Sequence, residues 1–239
     1  MLLNAIRWLR SIFISIPLIV LGTIAAATLG IAASLVMPKS PALDRIKKAW
    51  ARWILAVAFV SIRVRGRENI ASDRTVLYCS NHLSYLDPPA LVAALGHPVR
   101  FLAKESLFRV PFLGWAMRRE GDIPIEKDHP RAAARSLERA AQAARRGTSF
   151  VVFPEGGRSL DGKLQPFLSG AFRLAIEAQV PVVPIAIRGS REALRPGSLL
   201  IRGGAVSVVI GEPVATDGLT SRDQEALTRR VEQAIQALL

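Results

Sequence analysis

From residue 11 to residue 38 no side chain carries a charge, and this stretch limits what the chain can be more than any other. A run of more than about 20 apolar residues is long enough, as a helix, to cross the hydrocarbon core of a bilayer. A secretory signal peptide has an apolar region of only about 7 to 15 residues followed by a small-residue cleavage site, so this run is too long to be one. It reads as a membrane-associated segment. Arg7 and Arg10 precede it, and Lys39, Arg45, Lys47 and Lys48 follow it. The heavier basic load on the C-terminal side predicts a cell-membrane protein whose remaining chain lies on the cytoplasmic face. Because both flanks are basic, a full span and a re-entrant dip of residues 11–38 both stay open.

Residues 49–62, AWARWILAVAFVSI, are interrupted by Arg52 and followed by Arg63, which makes them too short and too charged to span. Two readings stand side by side. One is a helix lying in the headgroup region, with Trp50 and Trp53 as anchors; the other is a core helix of the domain that follows.

Past residue 63 short β-branched runs alternate with helical patterns. Strands are predicted at 75–80, 99–104, 149–154, 182–187 and 205–210, and helices at 88–95, 106–119, 130–146, 166–178 and 221–238. Pro130 suits a first helical turn, Gly147 a stop, and Ser221 with Gln224 have capping-box spacing. Continuous apolar strands between helices predict an α/β fold: a mostly parallel, twisted sheet flanked by helices and preceded by the membrane-associated segment. The expected division is a membrane segment and interfacial helix in residues 1–62 and an α/β domain in residues 63–239, with 39–44 as the joint.

The formal net charge is +13, from 32 Lys and Arg against 19 Asp and Glu. Such a balance points to anionic partners, whether nucleic acid, lipid headgroups or a phosphorylated substrate. No nucleic-acid motif accompanies it, so no nucleic-acid partner is expected. The single cysteine, Cys79, lies in an apolar run and reads as a small buried residue. It forbids an intramolecular disulfide and fits a reducing compartment.

One of the three histidines, His82, sits in SNHLSYLD just after a predicted strand. Ligands of such sheets gather beyond the carboxyl ends of the strands. On a continuous helix residues five apart differ by roughly 140°, so His82 and Asp87 meet only if the chain bends. Pro88 and Pro89 supply the bend: the residue before proline avoids helical angles and proline suits a first turn, making Asp87 the expected N-cap of the next helix. Taken alone the pair can be a cap and a polar loop histidine. The alternative is a dyad in which Asp87 holds the imidazole Nδ1 proton while Nε2 takes a proton from a hydroxyl. Asn81 can hold the turn by side-chain hydrogen bonds. A serine nucleophile would call for a Gly-x-Ser-x-Gly elbow, which is absent, although Ser84 and Ser159 stay open as candidates. His82, His97 and His129 are scattered without ligand spacing, so no metal is expected.

A second group follows the strand at 149–154: PEGGRSLDGK. Gly156 and Gly157 let the backbone approach a ligand and turn amides inward, Arg158 offers a planar fork for phosphate oxygens, and Glu155 can contact substrate or brace the loop. Together, NHLSYLD and FPEGGRS resemble the glycerolipid acyltransferase superfamily, whose hallmarks are Asn-His-x4-Asp and Phe-Pro-Glu-Gly-Thr-Arg-Ser. The likeness is to its 1-acylglycerol-3-phosphate acyltransferase branch. Two further blocks match in order. AKESLFRVPFLGWAMRREGDIPIEK has Lys104, Pro111, Gly114 and Gly121 in place, and VPVVPIAI centres on Pro184; the resemblance covers roughly residues 63–215.

The resemblance implies that His82 is the general base and Asp87 its partner. It makes Arg158, with Glu155 and Gly156, the acceptor-binding loop, and Lys104 a second phosphate contact. Asn81, Gly157, Ser159 and Pro184 complete the motifs. The implied reaction moves an acyl chain from the thioester of coenzyme A or acyl carrier protein to the sn-2 hydroxyl of lysophosphatidate, giving phosphatidate among membrane lipids without a resident cofactor. Two positions depart from the pattern: Gly157 replaces a threonine, and Lys127 stands where arginine is common. Both bear on the acceptor headgroup, for which lyso-ornithine lipids or other lysophospholipids are the alternatives. A non-catalytic protein that binds anionic membranes is the reading from another class.

Overall fold

The computed structural model describes residues 2–36, 41–70, 73–126 and 129–239; Lys127 and the flank at 37–40 lie outside them. In chain order the elements are α1 (Leu2–Arg10), a π turn (Ser11–Ser15), α2 (Ile16–Val36), α3 (Ala42–Val57), β1 (Val60–Arg65), β2 (Leu77–Ser80), α4 (Asp87–Leu95) and β3 (Arg100–Lys104). There follow α5 (Leu113–Glu120), β4 (Ile123–Ile125), α6 (Pro130–Arg145), β5 (Phe150–Val152), α7 (Gly170–Ala178), β6 (Val182–Arg188), α8 (Ser190–Ala193), β7 (Gly204–Ile210) and α9 (Gln224–Leu238).

Seven strands form one sheet in the order β1-β7-β6-β2-β5-β3-β4. Every neighbouring pair is parallel except β6 and β7. Side chains alternate across the sheet. Tyr78, Val151, Val183 and Ile185 enter a core with α3 and α4, while Leu77, Cys79, Phe150, Val152 and Val182 enter a second with α6, α7 and α9. Burial on both faces is why these strands read as unbroken apolar runs. Because β2, β3, β4, β5 and β6 run the same way, Ser80, Lys104, Ile125, Val152 and Arg188 end on one edge of the sheet.

Several expectations are corrected. The helix predicted through residue 62 ends at Val57, and residues 60–65 form the edge strand β1, so the division expected at 62/63 falls inside a strand. Phe59, at φ 57°, makes the corner, and Ser61-Ile62-Arg63-Val64-Arg65 then alternates with a strand period. Helix α3 is a core helix, burying Leu43, Lys47, Ala51, Ile54 and Leu55 along one face. Lys47 donates to Glu120 (2.8 Å) and Asp122 (3.4 Å), tying α3 to the β3–β4 corner. Burial opposes its charge, but the two carboxylates prevail and raise its pKa.

The helix predicted at 106–119 is split: a 3-10 turn covers Glu105–Arg109 and α5 starts at Leu113, after Pro111 and a Phe112 at φ 62°. A Cβ on Gly114 would lie 2.2 Å from the Phe108 carbonyl oxygen, so this corner admits only glycine. The short edge strand β4 was not expected. The capping box ahead of α9 is Thr220 with Asp223, one residue earlier than the spacing suggested, with Thr220 N donating to Asp223 Oδ2 at 2.8 Å.

The N-terminal helix, Leu2–Val36, is long and apolar enough to cross a membrane, but it lies along the domain. Arg10 Nη2 donates to the Ile201 carbonyl (2.6 Å), Ser15 Oγ to that of Val57 (3.0 Å) and Trp53 Nε1 to that of Leu18 (3.3 Å). Trp50 Nε1 reaches Thr23 Oγ1 at 3.1 Å, and α2 packs against both α3 and α5. Its other face leaves Leu9, Phe13, Leu21, Leu29 and Leu35 exposed.

Candidate active site

The site stands on the sheet edge where β2 and β5 end. Beyond Ser80 the chain bends at residues 84–87, Asp87 N donating to the Ser84 carbonyl (3.3 Å) before α4 begins. This bend brings His82 Nδ1 to 2.7 Å from Asp87 Oδ2. The same oxygen accepts from Leu83 N (2.6 Å) and Ser84 N (2.7 Å). Asp87 is therefore not the cap of α4: Leu86 holds that position without a side-chain bond, and the Asp87 carboxylate folds back onto its own loop. With Oδ2 accepting from Nδ1–H, the lone pair of the imidazole is at Nε2. That nitrogen has no hydrogen-bond partner among the described residues.

The ring is held on a second side by Phe153, stacked at a centroid distance of 4.0 Å. Asp87 is fully buried and the His82 side chain is 17% exposed, so the imidazole is reached from one direction. Asn81 does not bond within the turn. Its amide takes the Ile187 N–H (2.7 Å) and gives to the Ile187 carbonyl (2.9 Å), locking the corner to β6. Pro184 lies just before the β6–β7 ladder, which starts at Ile185↔Ile210, and its carbonyl accepts from Gly211 N (2.8 Å) where the chain leaves β7.

The second group meets the first through the main chain of His82. Glu155 Oε1 accepts from His82 N (2.5 Å) and Oε2 from Gln165 N (2.8 Å), so Glu155 braces the loop. Ser159 N donates to the His82 carbonyl at 2.8 Å. Burial pushes the Glu155 carboxyl up to about 7, against the two main-chain donors that pull it down. Gly156, at φ 70°, gives its N–H to Phe153, so that amide closes a turn and is not directed at a ligand. A Cβ on Gly157 would meet nothing within 4 Å, leaving room for the threonine it replaces.

Arg158 lies over Tyr85, with Cζ 3.5 Å from the ring centroid, and its Nη1 is buried without a partner among the described residues. A stacked guanidinium with an unanswered N–H is a ready anion ligand. Lys104 ends β3 on the same sheet edge, exposed and in no ion pair among the described residues. Neither candidate serine is free to act as a nucleophile: Ser84 Oγ donates to the Leu194 carbonyl (2.7 Å) and Ser159 Oγ to Asp161 (2.9 Å). Cys79 is buried, and burial lifts its thiol well above the usual range. Sequence reasoning passed over Phe153 and Tyr85. Both lie inside the motifs, Tyr85 in the x4 spacer and Phe153 at the head of FPEGGRS, and that placement was the available signal.

Residues 61–188 match the family described as Acyltransferase. A chloroplastic 1-acyl-sn-glycerol-3-phosphate acyltransferase of Brassica napus is 39% identical over 171 residues, which are 71% of this chain and 49% of that one. The corresponding chloroplastic protein of Arabidopsis thaliana is 38% identical, over 71% of this chain and 48% of its own. The chain thus spans about half the length of these curated relatives. Among solved structures, the 1-acyl-sn-glycerophosphate acyltransferase PlsC of Thermotoga maritima superposes with a TM-score of 0.82 at 26% identity, covering 98% of this chain and 93% of that one. With more than half of the chain inside the family match and its fold shared along almost the whole length, the protein belongs to the acyltransferase family.

Proposed function

We propose that the protein transfers a fatty acyl chain from an acyl thioester, of coenzyme A or of acyl carrier protein, to the sn-2 hydroxyl of lysophosphatidate. The observation that carries this reading is the His82–Asp87 contact, beside an arginine whose free N–H calls for an anion. Nε2 of His82 takes the hydroxyl proton as the oxygen attacks the thioester carbonyl. The tetrahedral intermediate then collapses, the carbon–sulfur bond breaks, and the imidazolium returns the proton to the leaving thiolate. No acyl-enzyme is required, consistent with the two committed serines.

In this reading Arg158 and Lys104 hold the phosphate, whose charge needs cationic ligands in a partly dehydrated site. Relatives named for lysophosphatidate acylation support that acceptor. The N-terminal helix is read as embedded by its exposed face in one leaflet at the cytoplasmic side, because a crossing would separate it from its contacts with Ile201, Val57 and α5. Cysteines placed at Asn4 and Ala49 would then be labelled from the same side of intact vesicles; labelling from opposite sides would show a span.

The decisive measurement is free-thiol release from an acyl thioester by the detergent-purified protein, with and without lysophosphatidate. Release should depend on lysophosphatidate and fall by about 10²–10⁴-fold in His82→Ala, the usual worth of a general base. Turnover with another lysolipid alone would replace the acceptor, and silence with all of them would overturn the reading.

A further inference from the structure

The loop between β5 and α7 that carries Arg158 keeps its shape by its own bonds. Ser159 Oγ accepts from Gly162 N (3.0 Å), and Asp161 Oδ1 accepts from Ser159 Oγ (2.9 Å) and Lys163 N (3.0 Å). Those bonds do not say where the loop sits relative to the rest of the site. Position comes from outside it, and one attachment is the main chain of His82, already described. A further one, besides the Tyr85 ring under Arg158, is Arg191 in α8. Its Nε and Nη2 both donate to the Leu160 carbonyl, at 3.1 and 2.6 Å.

The fit is mutual. Gly162, at φ 86°, lies against the Arg191 side chain, and a Cβ there would stand 3.2 Å from Arg191 Cδ. Arg191 forms no ion pair among the described residues, so its charge is directed at this one carbonyl. Leu160 itself is 74% exposed, so its side chain gives the loop little packing of its own. The carbonyl held by Arg191 is two residues from Arg158. On the other side of Arg158 stands Gly157, whose missing Cβ leaves open space and an unrestricted backbone.

We propose that Arg191 is a positioning residue for the acceptor site: by clamping the Leu160 carbonyl it holds Arg158 over Tyr85, and it does so in place of the bracing that Gly157 cannot give. The inference rests on the function proposed above for what Arg158 binds. Arg191 acts through Arg158, so it governs how well the anionic acceptor binds and leaves proton transfer at His82 untouched.

The test uses the full chain, with thiol release followed as lysophosphatidate is titrated. Arg191→Ala should raise KM for lysophosphatidate roughly tenfold, the scale of one charge-assisted hydrogen bond, while kcat stays within about twofold. Adding Arg191→Ala to Arg158→Ala should raise KM no further, because the clamp has nothing left to position. Gly157→Thr, which the open space accommodates, should recover part of the lost affinity in the Arg191→Ala background by restricting the loop. A fall in kcat at unchanged KM, additive effects in the double variant, or no recovery with Gly157→Thr would overturn the proposal. Deuterium exchange over residues 155–169 reads the clamp without substrate: it should quicken in Arg191→Ala and slow again with Gly157→Thr, and equal exchange in all three proteins would overturn the clamp. Wild-type protein inert toward lysophosphatidate would sink the proposed function, while the exchange comparison would still decide the clamp.

Discussion

The His82 corner and the Arg158 loop are two halves of one site held by different means. In the corner, Asp87 reaches back five residues to His82 and also binds the N–H groups of Leu83 and Ser84. Its geometry is made by one short segment and then locked to β6 by Asn81. The loop takes its place from distant groups: the His82 main chain, the Tyr85 ring and the Arg191 guanidinium. Under the proposed function the corner holds a proton-transfer pair, which tolerates little misplacement, and short-range bonds give it the least freedom. In the same reading the loop has to admit a headgroup, and a loop hung from a few outside contacts can do so.

The difference predicts that changes in the corner act on turnover and changes in the loop act on acceptor affinity. The largest effect is expected for Asp87→Asn, which removes the negative charge that stabilises an imidazolium at His82 and should lower kcat by about 10²–10⁴-fold at little change in KM. A matching rise in KM would erase the distinction. Next comes Arg158→Ala, expected to raise KM for lysophosphatidate by about 10- to 100-fold, as for a lost bidentate phosphate contact, and to leave kcat within a few-fold.

Asn81→Ala probes how the corner is locked. It leaves the buried N–H and C=O of Ile187 without the side chain that answers both, which should cost about 1–3 kcal/mol in denaturant unfolding. An unchanged midpoint would mean that the corner stands without β6.

The smallest effect concerns Glu155, the residue the two halves share. Its carboxyl is raised from 4.5 to about 7, chiefly by burial. The native protein therefore holds this proton more tightly than the unfolded chain. Its contribution to stability is full below the unfolded value and is lost as pH rises through the folded one. Melting temperature should decline between about pH 5 and about pH 8, and Glu155→Gln should flatten that decline. A decline equally steep in the variant would assign it to other groups.

The Arg158 loop also shows where sequence reading stopped. Glu155, Gly156 and Arg158 were recognisable as a group, yet that Glu155 binds the His82 N–H and that the Gly156 amide points away from any ligand depend on how β2 and β5 lie side by side. Arg191 carries no signal at all, since a lone arginine after a Gly-Ser turn looks like any solvated charge. The edge strands were missed for a related reason. β1 continues an apolar helix past a single strained residue, Phe59, and β4 has three residues, too few to show a period.

What the sequence determined by itself is what short-range chemistry dictates. Unbroken β-branched runs become strands buried on both faces, Pro88 and Pro89 fit the first turn of the helix that follows the His82–Asp87 bend, and an uncharged run demands an apolar environment. Tertiary structure decided the rest: that the apolar helix lies along the domain, that Lys47 is buried in an ion cluster, and that residues 160 and 191 meet. Such contacts join residues up to 191 positions apart, as in the Arg10 side chain with the Ile201 carbonyl. No local preference encodes them, because they exist only once the sheet has set the distances between its strand ends.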